Sequence, residues 1–181
     1  MAEKIILGLV GEIASGKGTV VKYLTEKYGA STYRFSTIIR DVLDRLHIDH
    51  SRDSLQKTSS MLRNTYGENI FAEVMAKDIK EDKHNIIIVD GIRRIEDIEF
   101  LKKDPNFKMV FIDVSLERRY ERIIQRNENA DDRNKTFEDF KLDAQREAEL
   151  TIRELREHAD AVLDNNGTPE ELESKIEDLL R

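Results

Sequence analysis

The chain has 181 residues, a length that suits one domain with a real core. Charged residues make 37% and the hydrophobic set 39%, and 30 Lys and Arg against 37 Asp and Glu leave a formal charge of -7, which argues against a general basic face for duplex DNA. With no cysteine, disulfides, thiolate metal ligands and a cysteine nucleophile are excluded.

The opening stretch MAEKIILGLVGE is too short, and too soon interrupted by glycine and charge, for a signal or a membrane span. The expectation is a soluble cytoplasmic domain over residues 1–181, without membrane or nucleic-acid partners, as a monomer or homodimer. Lys4 to Val10 reads as a buried strand, followed by a glycine-rich turn and a helix from about Gly18 to Tyr28, which Gly29 ends. A short strand over Thr32 to Phe35 leads to helices at Thr37 to Leu46, Ser54 to Tyr66 and Asn69 to Ile79. Asn85 to Val89 and Lys108 to Val114 are apolar enough for strands covered on both faces. Ser115 caps a helix from Leu116 to about Asn127, a charged stretch runs through Arg133, and one long helix is expected from Thr136 toward His158. Ala161 to Leu163 is the last strand. Thr168-Pro169-Glu170-Glu171 opens the final helix with a capping box and proline at its first position.

Strands alternating with helices predict an α/β fold of three layers around a doubly wound, mainly parallel sheet. Such sheets bind ligands beyond the carboxyl ends of their strands, which fall near Gly11, Phe35, Asp90 and Ser115.

Between the first strand and first helix lies Gly11-Glu12-Ile13-Ala14-Ser15-Gly16-Lys17-Gly18-Thr19, which contains the G-x-x-x-x-G-K of the P-loop. Glycines let successive N–H groups face phosphate oxygens, the helix N-terminus adds its dipole, and Lys17 adds a cation for the β- and γ-phosphates. Either Thr19 or the Gly18 backbone takes the place beside magnesium. An acid at the end of a buried strand, Asp90, suits the Walker B position, holding magnesium through water.

The G-x-x-x-x-G-K-G-T string resembles that of nucleoside monophosphate kinases of the adenylate-kinase type, and GLVGEIASGKGTV also looks like the opening of dephospho-coenzyme A kinases. The resemblance implies ATP bound by Gly11, Ile13, Ala14, Ser15, Gly16, Lys17, Gly18 and Thr19, with Mg2+ at Thr19 and Asp90. Ser36-Thr37-Ile38-Ile39-Arg40 is similar to the segment that carries an acceptor-phosphate arginine, so Ser36 and Arg40 are assigned to the acceptor. Asp90-Gly91-Ile92-Arg93-Arg94 resembles the Asp-Gly-Phe-Pro-Arg motif, with Arg94 on its phosphate-binding arginine and Arg93 where the family has proline. Arg63, in a helical acceptor-binding insertion at about 36–80, is a further candidate. Arg122 and Arg126 match in position the arginines that open the lid of monophosphate kinases. With Arg133, in a lid at about 127–146, they would stabilise the transferring phosphoryl group alongside Lys17. Arg146 is another lid candidate, and Arg118 and Arg119 are set aside. The segment Ala159–Thr168 resembles the closing segment of dephospho-coenzyme A kinases, which places Asn165 and Gly167 beside the adenine.

The expected activity is ATP- and Mg-dependent transfer of the γ-phosphoryl group to a nucleoside or deoxynucleoside monophosphate. A dephospho-coenzyme A kinase is the alternative, with Asp41 or Asp44 supplying the base that a hydroxyl acceptor uses. A slow ATPase switch or assembly factor is the alternative of another class.

Overall fold

A computed structural model describes residues 4–126, 135–145 and 147–181, without the side chains of Arg126 and of 147–149. Five strands, β1 (Ile5–Val10), β2 (Ser31–Arg34), β3 (Ile86–Asp90), β4 (Phe107–Asp113) and β5 (Ala161–Asp164), form one parallel sheet in the order β2-β3-β1-β4-β5. Around it lie α1 (Lys17–Tyr28), α2 (Phe35–Arg45), α3 (Arg52–Tyr66), α4 (Ile70–Glu81), α5 (Leu116–Arg126), α6 (Phe137–Asp143), α7 (Glu147–Glu154) and α8 (Pro169–Leu179). Short 3-10 turns occupy Ile95–Ile98, Leu101–Lys103 and Leu155–His158. This is the three-layer, doubly wound α/β fold that the alternating pattern predicts. Among the described residues no helix is long and apolar enough to cross a membrane.

The two-residue period of the central strands builds two cores. Ile6 and Val10 of β1, with Ile87 and Val89 of β3, face a cluster that includes Ile39 and Leu43 of α2 and Phe71 and Met75 of α4. Leu7 and Leu9, with Ile88, face Val20 and Leu24 of α1 and Leu172 and Ile176 of α8. Removing each such side chain from water contributes about 1.5–3 kcal/mol before entropy is counted. Because β1 is covered on both faces and paired on both edges, its carboxyl end is fixed in three dimensions. The phosphate loop leaves from that end. The connection leaving β1 runs to one side of the sheet, to β2, and the one leaving the neighbouring β3 crosses to the other side, to β4. The crevice therefore lies between the ends of β1 and β3, where the direction reverses.

Gly29, at φ 64°, ends α1 in the left-handed region and donates to the carbonyls of Leu24 and Thr25, as predicted. Thr168 caps α8 with the expected reciprocal bonds to Glu171. Two expectations are corrected. The helix expected from Thr37 begins at Phe35, whose side chain joins the sheet cluster from the first turn of α2, on one face with Ile39 and Leu43, so Ser36 is helical. The long helix expected over 136–158 is divided. Its first part, α6, buries Phe140 against Tyr120 and Arg119 of α5, whereas α7 carries Ile152 into the sheet cluster. Arg153 Nη2 lies 3.4 Å from the Ala144 carbonyl and offers a donor to the end of α6 that the break leaves unpaired.

Candidate functional site

The phosphate loop runs from Gly11 at the end of β1 to Lys17 at the first position of α1. Gly16, at φ 99° and ψ 15°, turns the chain into the helix, and a Cβ there would collide with the Asn165 amide. Lys17 Nζ reaches back across the loop to the carbonyls of Gly11 and, at 3.2 Å, Glu12.

The outer side of the loop is held by guanidinium groups. Arg122 on α5 donates from Nη1 to the Ser15 carbonyl at 3.3 Å and from Nη2 to the Asn165 carbonyl at 2.8 Å. The Asn165 amide donates to the same Ser15 carbonyl at 2.8 Å. Across a planar peptide the carbonyl and the following N–H point opposite ways, so cations that hold the carbonyls turn the amides toward the other side. Burial first, and then the charge of Arg118, holds the Arg122 guanidinium below the usual arginine value, though such a group stays cationic.

Glu12 is the unexpected member of the loop. It is buried, and its Oε1 accepts from Arg119 Nη2 at 3.0 Å and Arg153 Nη2 at 2.8 Å. Arg119, set aside on sequence grounds, is almost fully buried as one half of this clamp. A carboxylate inside a loop that receives phosphates needs a cation near it, and that is the signal in the sequence that would have led to Arg119.

Two chambers open on this loop. The first, about 570 Å³, is lined by Ala14, Ser15, Gly16, Lys17, Gly18, Thr19, Asp90, Arg122, Asn165 and Gly167, with Pro169 and Leu172 as apolar wall. The predicted nucleotide residues are thus gathered in one place, except that Gly11 and Ile13 line the neighbouring chamber. That second chamber, about 630 Å³, also contains Ser36, Arg63, Arg93 and Arg94. The two share Ala14, Lys17 and Asp90.

Arg40 is not brought to the crevice. It lies on an exposed face of α2, with Nη1 3.2 Å from His50 Nδ1, while His50 Nε2 lies 2.7 Å from Asp44. Asp41 lines a separate apolar groove between α2 and α4. Arg133, Arg146 and the rest of 127–134 in the expected lid lie outside the described residues, as does the Arg126 side chain, whereas 135–145 of that lid form α6 and the turns beside it.

The arginine turn after β3 is organised by a second buried carboxylate that the sequence reading passed over. Asp97 accepts the backbone N–H of Arg93 at 3.1 Å and of Arg94 at 3.2 Å on one oxygen, and Arg63 Nη2 at 3.2 Å on the other. An acid three residues beyond Arg94 is the spacing of a helix-start cap, so this signal was present in the sequence. The Asp90 carboxylate is itself paired, with Arg34 Nε at 2.9 Å.

The AAA domain family matches residues 10–141 of this chain. A UPF0200 protein of Sulfurisphaera tokodaii is 31% identical over 176 residues, covering 97% of this chain and 96% of its own length. One from Hyperthermus butylicus is 28% identical over 179 residues, covering 99% and 95%. Among solved structures, shikimate kinase from Bacteroides thetaiotaomicron superposes with a TM-score of 0.61 at 19% identity, covering 97% of this chain and 96% of that one, a likeness of fold. The neighbour shares the fold alone; the chain itself belongs to the AAA domain family and to the UPF0200 proteins.

Proposed function

We propose that the protein is a phosphotransferase that moves the γ-phosphoryl group of ATP to a small phosphorylated acceptor, a nucleoside or deoxynucleoside monophosphate. The observation that carries this reading is the junction of two chambers at Lys17 and Asp90, one walled by the phosphate loop and the other by Arg63, Arg93 and Arg94. Water as the sole acceptor needs no second chamber in which Arg63, Arg93 and Arg94 stand beside the Arg34–Asp90 pair. A monophosphate is already an anion and reacts when it is held and its charge is offset, which is what these side chains can supply.

Lys17 and the loop amides would hold the β- and γ-phosphates, with the Arg122 and Asn165 network keeping the loop in shape. Thr19 and Asp90 both line the nucleotide chamber and are the donor types that magnesium takes beside triphosphate oxygens and waters. When bound there, the ion would offset charge on the phosphates. Ser36 would contact the acceptor, and the lid arginines would exclude water as it closes.

A hydroxyl acceptor is the second reading, favoured by the shikimate kinase likeness and by the dephospho-coenzyme A kinase-like ends. The placement of Asp41 and Asp44 supports the monophosphate instead, since neither reaches the crevice where a base would act. Coupled ADP release with Mg-ATP and a panel of CMP, dCMP, UMP, dTMP, AMP, GMP and dephospho-coenzyme A tests the choice. Fast turnover with one monophosphate, abolished by Lys17→Ala, is expected. Turnover with dephospho-coenzyme A alone would replace the reading, and slow ADP release indifferent to every acceptor would favour an ATPase switch.

A further inference from the structure

Four arginines line the second chamber; Arg34 is paired with Asp90 at 2.9 Å, and the other three, Arg63, Arg93 and Arg94, are balanced in two tiers. Arg63, only 14% exposed, pairs with Asp97, which is 5% exposed, so this charge is neutralised inside the protein. The outer tier is different. Glu68, in the turn between α3 and α4, places Oε2 3.3 Å from Arg94 Nη1 and 3.7 Å from Arg63 Nη1, and its backbone carbonyl accepts from Arg63. Glu68 and Arg94 are each more than half exposed. Arg93 makes no ion pair among the described residues. Glu96 and Glu154 line the adjoining groove without an ion pair to these arginines among the described residues, and Arg34 and Asp90 offset each other. Within the cluster, three guanidinium charges thus face the carboxylates of Asp97 and Glu68 and leave one positive charge in excess.

We propose that Glu68 is a built-in counter-ion of the acceptor arginines, and that it selects acceptors carrying a phosphate dianion over acceptors carrying a single carboxylate. The inference rests on reading this chamber as the acceptor site. An incoming carboxylate that displaces Glu68 exchanges one negative charge for another and leaves the excess in place. A phosphate dianion that displaces Glu68 neutralises the cluster and presents three oxygens to planar guanidinium donors. Displacement is cheap because an exposed ion pair contributes little, whereas the buried Arg63–Asp97 pair stays and keeps Arg63 aimed.

The test follows the arginine Nε–Hε resonances of the full chain, with the nucleotide loop saturated by MgADP so that phosphate is kept from it. Methyl phosphate, at a pH where it is a dianion, and acetate are titrated in turn. Wild type is expected to show shifts at Arg63, Arg93 and Arg94, with acetate weaker by about tenfold for the missing charge. Glu68→Gln removes the competing charge, keeps the backbone carbonyl that Arg63 uses, and lies on an exposed turn. It is expected to tighten methyl phosphate by about two- to five-fold, the worth of an exposed pair. A merely structural Glu68 would loosen binding when replaced. Acetate binding as tightly as methyl phosphate in wild type, or methyl phosphate unchanged or weaker in Glu68→Gln, would overturn the proposal while leaving the acceptor reading intact. Arginine signals that ignore methyl phosphate in a chain that binds MgADP would sink both.

Discussion

The two sides of the crevice, which we assign to nucleotide and to acceptor, handle their charges in opposite ways. On the nucleotide side, Glu12 and Arg119 are buried, and Arg122 is spent on backbone carbonyls of the loop and of Asn165. On the acceptor side, Arg93, Arg94 and Glu68 stand in solvent, with only Asp97 and Arg63 sunk beneath them. A site for a nucleotide triphosphate can be built rigid, because the same ligand group returns each cycle. Cations that must take and release an acceptor are better held by partners that water can replace. The difference predicts where charge changes cost stability and where they change affinity.

Glu12→Ala is the largest test of that contrast. It leaves Arg119 buried against a lost partner, which costs about 3–5 kcal/mol and should lower Tm by about 6–20 °C. Glu68→Ala, the same deletion on the exposed side, should cost no more than about 1 kcal/mol. Thermal melts of the two variants side by side decide it, and equal losses would erase the distinction between the two sides.

Asp97→Asn sharpens it next. The amide oxygen can still accept the N–H groups of Arg93 and Arg94, but the charge that faces Arg63 is gone. About 1–3 kcal/mol of stability should be lost, and the acceptor KM should rise while the KM for ATP stays near its wild-type value. A rise confined to ATP would mean that Asp97 braces the wrong chamber.

How far the sequence spoke for itself follows the same division. The P-loop and Asp90 were legible because their residue types are demanded locally by a strand, a turn and a helix start, and Arg93 and Arg94 followed from the turn after Asp90. Arg40 shares the helical face of Ser36 but lies one turn farther along α2, where its guanidinium sits against His50 and not in the chamber, a pairing that its own neighbours in sequence do not show. Arg119 was passed over because a helix with arginines at 118, 119, 122 and 126 shows its charge but not which one turns inward. That choice is made by Glu12, more than a hundred positions away. The division of the helix after Asp143 was equally invisible, since residues 136–158 contain no glycine or proline to mark a break and only tertiary packing assigns Phe140 and Ile152 to different neighbours. Pairings between distant residues set these features, and no window of sequence contains both partners.

Arginine substitutions then test the acceptor side alone, once the panel has named an acceptor. Arg93→Ala and Arg94→Ala should each raise the acceptor KM by about tenfold or more, the worth of a charge-assisted hydrogen bond. Arg40→Ala should leave it within about twofold. Steady-state kinetics separates them, and an Arg40 effect as large as the others would return α2 to the site.

The smallest expected effect lies on the nucleotide side but far from the loop, and it asks whether burial or location makes that side rigid. Lys27 of α1 pairs with Glu177 of α8, and Tyr23 donates to the same carboxylate at 2.7 Å. The hydrogen bond from Lys27, then that from Tyr23, holds the Glu177 carboxyl down from its ordinary 4.5 to about 2. A carboxylate whose value is depressed on folding contributes stability that is complete above its unfolded value and is lost as pH falls through the folded one. The window therefore runs from about pH 4.5 down to about 2. Other carboxylates titrate there too, so the quantity to read is the gap in Tm between wild type and Glu177→Gln, which should close as pH drops through that window. The partners are exposed, so added salt should narrow the gap at neutral pH as well. A gap that persists at pH 2 would mean that shape rather than charge joins α1 to α8. A gap as large as that of Glu12→Ala would mean that the nucleotide side is stiff along its whole length and not only where its ion pairs are buried.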